Sequence, residues 1–183
     1  MKLEFPEKGR RMAALLAFVL GVAWIGAPPR AYGADGAGCA ANPENRALDF
    51  WLGDWSVAAP GSAPNATSRV ILEQDRCVVV ERWDGGRGHT GENLFAYSTD
   101  DKRWHGMFAD NKGRVHVLAG GNSALGAVEF AGPSLDEQGG TALNRVTIRR
   151  ISDTQVEQNW AKSSDGGKTW TSEFRGIYTR KEP

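Results

Sequence analysis

Apolar and polar positions alternate with a period of two along most of the chain after residue 54. The alternation falls into ten short runs, which turn-forming Gly, Asp, Asn, Ser and Pro residues separate. This pattern indicates strands that bury one face in a core and expose the other to water. The predicted strands cover 55–59, 67–74, 77–84, 90–98, 102–109, 114–120, 125–131, 143–151, 154–162 and 169–180.

The connections between these runs are short, and no helical stretch separates them. Asp84-Gly85-Gly86 and Asp165-Gly166-Gly167 are typical of the tight turns that reverse antiparallel strands. About ten such strands form a closed barrel or a sandwich. The only predicted helix is short, running from Asn45 to Gly53 after Pro43. We therefore expect an all-β fold with a short N-terminal helix.

The first 34 residues have a different pattern from the rest of the chain. Basic residues at positions 8, 10 and 11 precede an apolar stretch from Met12 to Ala27, and small residues follow at Ala31 and Gly33. This order predicts a secretory signal peptide over 1–34, cleaved between 27 and 39. The apolar stretch is shorter than the ~20 residues that a spanning helix needs. A single domain over 35–183, periplasmic or secreted, is the expected product.

The charge balance changes these predictions only slightly. The chain has 22 basic and 22 acidic side chains. Removing 1–34 takes away five basic and two acidic side chains, which leaves a mildly acidic domain. A nucleic-acid-binding protein normally shows a basic face, so no nucleic-acid partner is predicted. We expect no stable membrane insertion after cleavage, and the oligomeric state stays open.

Cys39 and Cys77 are the only two cysteines. Because an exported protein folds in an oxidising compartment, the pair predicts a disulfide. Two free thiols, or a lipidated Cys39 in a lipoprotein, are the alternatives. Neither cysteine belongs to a CxxC motif or has a base beside it in the sequence, which argues against a catalytic thiol.

The segment from Ser163 to Trp170 fits the Asp-box pattern, Ser-x-Asp-x-Gly-x-x-Trp. Propeller enzymes carry one box in each blade, but this chain has one box and no repeat of blade length, so a propeller is excluded. The side-chain oxygens of such a box bond the amides of their own turn. We expect a structural turn formed by Ser163, Asp165, Gly167 and Trp170.

Several motifs occur together along the mature chain. They are Leu48-Asp49-Phe50-Trp51-Leu52-Gly53-Asp54-Trp55, Cys77, Glu81-x-Trp83, Trp104-His105, Gln158-x-Trp160 and the Asp-box. In this combination the chain resembles the bacterial exported family called domain of unknown function 1579. The resemblance implies a lipocalin-like closed barrel of about ten antiparallel strands, with the N-terminal segment covering one end. It implies no known reaction.

The chain departs from that family at two positions. Members commonly carry a glutamine and a tryptophan where this chain has Gly106 and Phe108. We expect this difference to enlarge or reshape the interior of the barrel.

Aromatic side chains recur on one face of several predicted strands, as the lining of a barrel interior requires. The candidate ligand-binding residues are Glu81, Trp83, Trp104, Phe108, Gln158 and Trp160. They predict a small, mostly apolar ligand inside the barrel. One alternative is an enzyme, a hydrolase or isomerase that uses Glu81 or Asp110 as its base. The other is a structural or interaction module without a cavity.

The chain has three histidines and no metal-binding motif, so neither a metal nor a cofactor is predicted. Haem held by His105 or His116 stays as an alternative, because small barrels can hold haem through one histidine on an interior wall. The alternation places His105 on the face opposite Trp104 and Phe108, and Val115 and Val117 flank His116. We therefore expect both histidines at the surface or the rim.

Overall fold

A computed structural model describes residues 38–122 and 126–182, which form a closed barrel of ten antiparallel strands. Each strand pairs with its neighbours in sequence, and the first strand pairs with the last to close the ring. The all-β closed barrel is therefore confirmed, whereas the predicted signal peptide lies outside the described residues. The strands are β1 (Gly53–Ala58), β2 (Ala66–Glu73), β3 (Val78–Asp84), β4 (Thr90–Ser98), β5 (Arg103–Asp110), β6 (Val115–Asn122), β7 (Ala127–Leu135), β8 (Thr141–Arg150), β9 (Gln155–Ser163) and β10 (Thr171–Arg180).

The largest difference from the predicted strands is at the end of β7, which continues to Leu135 instead of ending at residue 131. The predicted break came from Gly132 and Pro133. The pairing of β6 with β7 ends at Ala131, so Pro133 follows the end of that ladder and removes no donor from it. Gly132 allows a close approach, because a Cβ there would lie 2.1 Å from the Val117 carbonyl oxygen.

The predicted short helix is present as 3-10 turns. The N-terminal segment contains η1 (Cys39–Ala41), η2 (Pro43–Arg46) and η3 (Asp49–Trp51), with the Asn42 side chain capping η2. Gly53, the expected last helical residue, instead begins β1 with a φ of 131°, a value that favours glycine. Among the described residues, no helix is long and apolar enough to span a membrane.

The N-terminal segment packs into one end of the barrel, which we name the closed end. Trp51 is fully buried, and its ring centroid lies 5.9 Å from that of Phe95 and 5.9 Å from that of Tyr178. Because the strands are antiparallel, the turns before β3, β5 and β9 also lie at this end. The turns before β2, β4, β6, β8 and β10 lie at the other end, which we name the open end.

A disulfide joins Cys39 of η1 to Cys77, just before β3. The predicted pairing is confirmed. It fastens the N-terminal segment to the closed end of the barrel.

Part of the outer surface is apolar. Leu94, Met107 and Val117 are cross-strand partners on β4, β5 and β6. They are 37%, 42% and 61% exposed, respectively. An apolar patch therefore lies on the outside of the barrel, and experiments on the binding of apolar molecules need a control for it.

Candidate functional site

A partly open cavity of about 300 Å³ lies inside the barrel toward its open end. Six strands and two turns contribute to it, because inward-facing side chains of adjacent strands meet there. Its lining consists of Trp83, His89, Asn93, Phe108, Arg114, His116, Gln158, Trp160, Glu173 and Phe174. A volume of this size suits one small molecule.

One wall of the cavity is a group of three rings from β5, β6 and β9. The rings of Phe108 and His116 are nearly parallel, with centroids 5.9 Å apart. Trp160 is tilted against both, with its centroid 5.4 Å from each of theirs. Three mutually packed rings form a rigid apolar surface.

A second wall consists of Trp83, His89 and Phe174. The Trp83 ring meets His89 edge-on at 4.9 Å and Phe174 edge-on at 6.2 Å. Within the described part of the chain, no ring contact joins this group to the first. Both groups border the same cavity.

Glycines make room for three of these rings. A Cβ on Gly85 would lie 2.1 Å from the Trp83 ring, and one on Gly91 would lie 2.7 Å from the Phe108 ring. A Cβ on Gly176 would lie 2.8 Å from the Phe174 ring. The rings therefore lie directly against backbone, which fixes the positions of the walls.

A β-bulge shapes the mouth of the cavity. The pairing of β10 with β9 shifts register between Ser172 and Phe174, so Glu173 is the extra residue. As a result, the consecutive residues Glu173 and Phe174 both line the cavity. The Glu173 carboxylate forms an ion pair with Lys162 at 3.2 Å.

Beneath the cavity, the fully buried Glu81 accepts four hydrogen bonds. Ser68 Oγ and the Tyr178 hydroxyl donate to Oε1 at 2.8 and 2.9 Å. Asn93 Nδ2 and Gln158 Nε2 donate to Oε2 at 2.7 and 3.3 Å. Asn93 and Gln158 also line the cavity, so they form a floor between it and the carboxyl group.

The surroundings of Glu81 shift the pKa of its carboxyl group in two opposing directions. Burial raises the pKa of Glu81, while hydrogen bonds from Ser68, Tyr178, Gln158 and Asn93 lower it, and the net shift is upward. Burial and the adjacent carboxylate raise the pKa of Tyr178 well above its ordinary value, so its hydroxyl remains a donor. All four donors are uncharged, and none supplies a counter-ion.

Asp110 lies at the rim, with a fully buried side chain. Burial alone would raise the pKa of Asp110. Hydrogen bonds from His89, from the Arg114 amide and guanidinium, and from the Lys112 amide outweigh that effect and hold the pKa well below its usual range. The His89 and Arg114 contacts measure 3.0 and 2.7 Å. A carboxylate held this way is a weak base.

The two histidines considered for haem differ in position. His116 lines the cavity, where burial and the positive charges of Arg114 and Lys162 lower its pKa, so the ring is neutral near pH 7. His105 is exposed on the outer face and pairs with Asp101 at 2.8 Å. Only His116 therefore faces the interior. No group of three His, Cys, Asp or Glu side chains suited to a metal occurs in the described residues.

The candidate residues from the sequence fall into three positions. Trp83, Phe108, Gln158 and Trp160 line the cavity. Glu81 lies beneath its floor and has no exposed surface. Trp104 does not line the cavity: it is 1% exposed, and its ring packs edge-on against Tyr97 and Phe130 in the core.

The expected effect of Gly106 on the interior is also different in the structure. The Phe95 ring occupies the space beside it, 2.8 Å from where a Cβ would be. Gly106 therefore accommodates a core ring, and Phe108 is the residue of this pair that borders the cavity.

Sequence reasoning missed five lining residues, which are His89, Asn93, Arg114, Glu173 and Phe174. Asn93 alternates in phase with Phe95 on β4, which is a signal that could have found it. His89 and Arg114 lie in turns, where alternation carries no information. Glu173 is the bulge residue, and a bulge breaks the alternation that would otherwise place the side chain.

The Asp-box forms the turn between β9 and β10 at the open end. Ser163 Oγ accepts from the Gly167 amide at 2.8 Å, and Asp165 Oδ1 accepts from the Lys168 and Thr169 amides at 3.0 Å each. Trp170 Nε1 donates to the Gly167 carbonyl at 3.0 Å. Its polar groups are thus used within the turn.

The chain matches no protein-family model and no curated protein. The resemblance to domain of unknown function 1579 therefore stays a prediction, and the functional argument depends on the barrel and its cavity.

Proposed function

We propose that this protein is an exported lipocalin-like barrel that binds one small, mostly apolar molecule in the cavity at its open end. The observation that carries the proposal is the cavity of about 300 Å³, which two groups of packed aromatic rings border. Ligand sites in proteins combine apolar walls with a few fixed polar groups, and this cavity has both.

The site is also preorganised. Gly85, Gly91 and Gly176 fix the wall rings, and the bonds to Glu81 fix the floor amides of Asn93 and Gln158. A ligand that enters such a site orders few side chains, so little of the binding free energy is lost to conformational entropy.

The carboxyl groups support binding more than catalysis. Glu81 has no surface in the cavity, so a substrate cannot contact it without displacing Asn93 or Gln158. Asp110 is already bonded to His89 and Arg114. The enzyme alternative, in which one of these carboxylates is the base, therefore has less support than binding.

The prediction of export has support from the disulfide between Cys39 and Cys77, because such bonds persist in oxidising compartments. The signal-peptide pattern over 1–34 and the family resemblance point in the same direction.

Native mass spectrometry of the protein purified from its own host tests the proposal. We expect a complex with one small molecule under gentle ionisation, and the bare polypeptide after organic extraction. The bare polypeptide under all conditions, together with failure of the dye experiment below, would contradict ligand binding.

The dye experiment uses an uncharged fluorescent naphthalene, 6-propionyl-2-(dimethylamino)naphthalene, and two variants of adjacent residues on β5. Phe108→Ala removes part of a cavity wall, and Met107→Ala changes the exposed outer face. We expect F108A to weaken dye binding about tenfold, because one buried aromatic contact is lost. M107A should leave it unchanged. The reverse result would place the dye on the outer surface.

A further inference from the structure

Asn93 and His116, which line the cavity, each have one side-chain polar atom that forms no hydrogen bond within the described residues; Nε1 of Trp83 also has no partner, but that atom is buried. Asn93 donates through Nδ2 to Glu81, and its Oδ1 accepts no hydrogen bond. His116 contacts Asn144 Nδ2 through Nδ1 at 2.8 Å, and its Nε2 has no partner. Both residues line the cavity, so a ligand can meet these two atoms.

Neighbouring side chains determine which atoms remain for the ligand. Asn93 turns Nδ2 toward Glu81 Oε2 at 2.7 Å, which leaves Oδ1 as an acceptor for the cavity. The Asn144 amide donates to His116 Nδ1, so the neutral ring carries its proton on Nε2. Asn93 thus offers a fixed acceptor, and His116 offers a fixed donor.

The charges at the rim are already paired. Arg114 bonds to Asp110, and Lys162 pairs with Glu173. A charged ligand would lose its hydration without gaining an unpaired partner there, which is costly in a site with apolar walls. An uncharged ligand avoids this cost.

On the basis of the proposed function, we propose that the ligand belongs to the phenol class: an uncharged, planar aromatic molecule that carries a hydroxyl group. Its ring system fits against the aromatic rings that line the cavity, where stacked and edge-on contacts are favourable. A hydroxyl is the smallest group that both donates, as Asn93 Oδ1 requires, and accepts, as His116 Nε2 requires. Apolar rings alone would leave both atoms unsatisfied.

Glu81 acts as a positioning residue in this arrangement. Its carboxylate orients the Asn93 amide and polarises it, which makes Oδ1 a stronger acceptor. The hydroxyl proton of the ligand then points toward the floor of the cavity.

Isothermal titration calorimetry of the mature protein with four naphthalenes of matched shape tests the class of ligand. The probes are 2-naphthol, 2-methylnaphthalene, 2-naphthoate and 2-naphthylmethylammonium. We expect 2-naphthol to bind tightest, by about tenfold over 2-methylnaphthalene, which is the effect of a net hydrogen bond. Both ions should bind more weakly than 2-naphthol.

The outcomes separate this inference from the function on which it rests. If 2-methylnaphthalene equals 2-naphthol, or if an ion binds tightest, the cavity binds ligands but the phenol class is wrong. If none of the four probes binds, the proposed binding function fails as well.

His116→Phe provides the second test, because it keeps a ring against Phe108 and removes the donor. We expect it to lower the affinity for 2-naphthol about tenfold and to leave that for 2-methylnaphthalene unchanged. His105→Phe, on the outer face, is the matched control and should change neither affinity. An unchanged preference for 2-naphthol in H116F would overturn the proposal.

Discussion

At the scale of single residues, Glu81 determines most of the chemistry beneath the cavity. A buried carboxylate without a cation is costly unless hydrogen bonds satisfy its oxygens. Here hydroxyl groups of Ser68 and Tyr178 and amides of Asn93 and Gln158 satisfy both oxygens. Both oxygens of Glu81 are therefore hydrogen-bonded, and the residue fixes two side chains that face the ligand site.

The raised pKa of Glu81 predicts how the free energy of unfolding depends on pH. The folded protein retains the proton to higher pH than the unfolded chain, whose carboxyl titrates near 4.5. In that window the folded state binds more protons, so the free energy of unfolding falls as pH rises. We expect wild type to lose stability relative to Glu81→Gln as pH rises above 4.5, and the difference to be constant below it.

Urea denaturation at a series of pH values measures this difference. Subtracting the E81Q curve removes the contributions of other groups, including Asp110. The lowered pKa of Asp110 stabilises the fold at pH values above the pKa of the unfolded carboxyl group, and this stabilisation is lost as the pH falls toward the folded pKa. Glu137→Gln, at an exposed position, is the control. A difference that is independent of pH, or that rises with pH, would show that Glu81 does not titrate as described.

The residue-level part of the site was only partly predictable. Glu81 and Phe108 were identified because alternation puts them in phase with aromatic positions on their strands, and Trp160 because it shares a face with Val156 and Gln158. Trp104 has the same phase, but it lies nearer the closed end, where Phe130 and Tyr97 fill the space around it. Alternation determines which face a side chain is on and does not determine its height along the barrel axis.

At the scale of elements, the last strand holds the N-terminal segment in place through one side chain. The Arg180 guanidinium lies 4.3 Å from the Trp55 ring centroid and donates to the Leu52 carbonyl at 2.8 Å and the Phe50 carbonyl at 3.4 Å. Gly53 has a φ of 131°, which favours glycine, and a Cβ there would lie 2.4 Å from Arg180 Nη1 and displace the guanidinium. Stacking on the Trp55 ring and simultaneous donation to two carbonyl groups both require a planar guanidinium.

Arg180→Lys tests this contact, because it keeps the charge and loses both the planar stack and most of the donors. We expect a loss of about 1–3 kcal/mol in the free energy of unfolding, since a carbonyl at the closed end is left unpaired. Faster amide exchange over 49–52 should accompany it. Arg103→Lys, at an exposed position, should have no such effect. Equal stability of R180K and wild type would refute the role given to Arg180.

Among the elements, the strands were the easiest to predict from the sequence, and the turns between them came second. All ten strands were identified, because each carries several alternating positions and ends at residues such as Asp84 and Asp110 that bond turn amides. The bulge at Glu173 was not predictable, because nothing in the residues around it differs from an ordinary strand. The mouth of the cavity depends on that bulge and on two turns, so its polar residues were the ones missed.

At the scale of the whole molecule, stability and binding belong to opposite ends of the barrel. The disulfide, the N-terminal segment and Arg180 lie at the closed end, and the cavity lies toward the open end. The buried network around Glu81 lies between them. Changes at the closed end should therefore alter the free energy of unfolding without altering affinity for a ligand.

Replacing both cysteines with serine tests this separation. The bond closes a loop with a sequence separation of 38, so its loss should lower the free energy of unfolding by about 4 kcal/mol. Urea denaturation followed by tryptophan fluorescence measures that loss. Calorimetry with 2-naphthol, well below the unfolding midpoint, should give an affinity within about twofold of wild type, because Cys39 and Cys77 do not border the cavity. Weaker binding by a folded double variant would show that the two ends of the barrel are coupled.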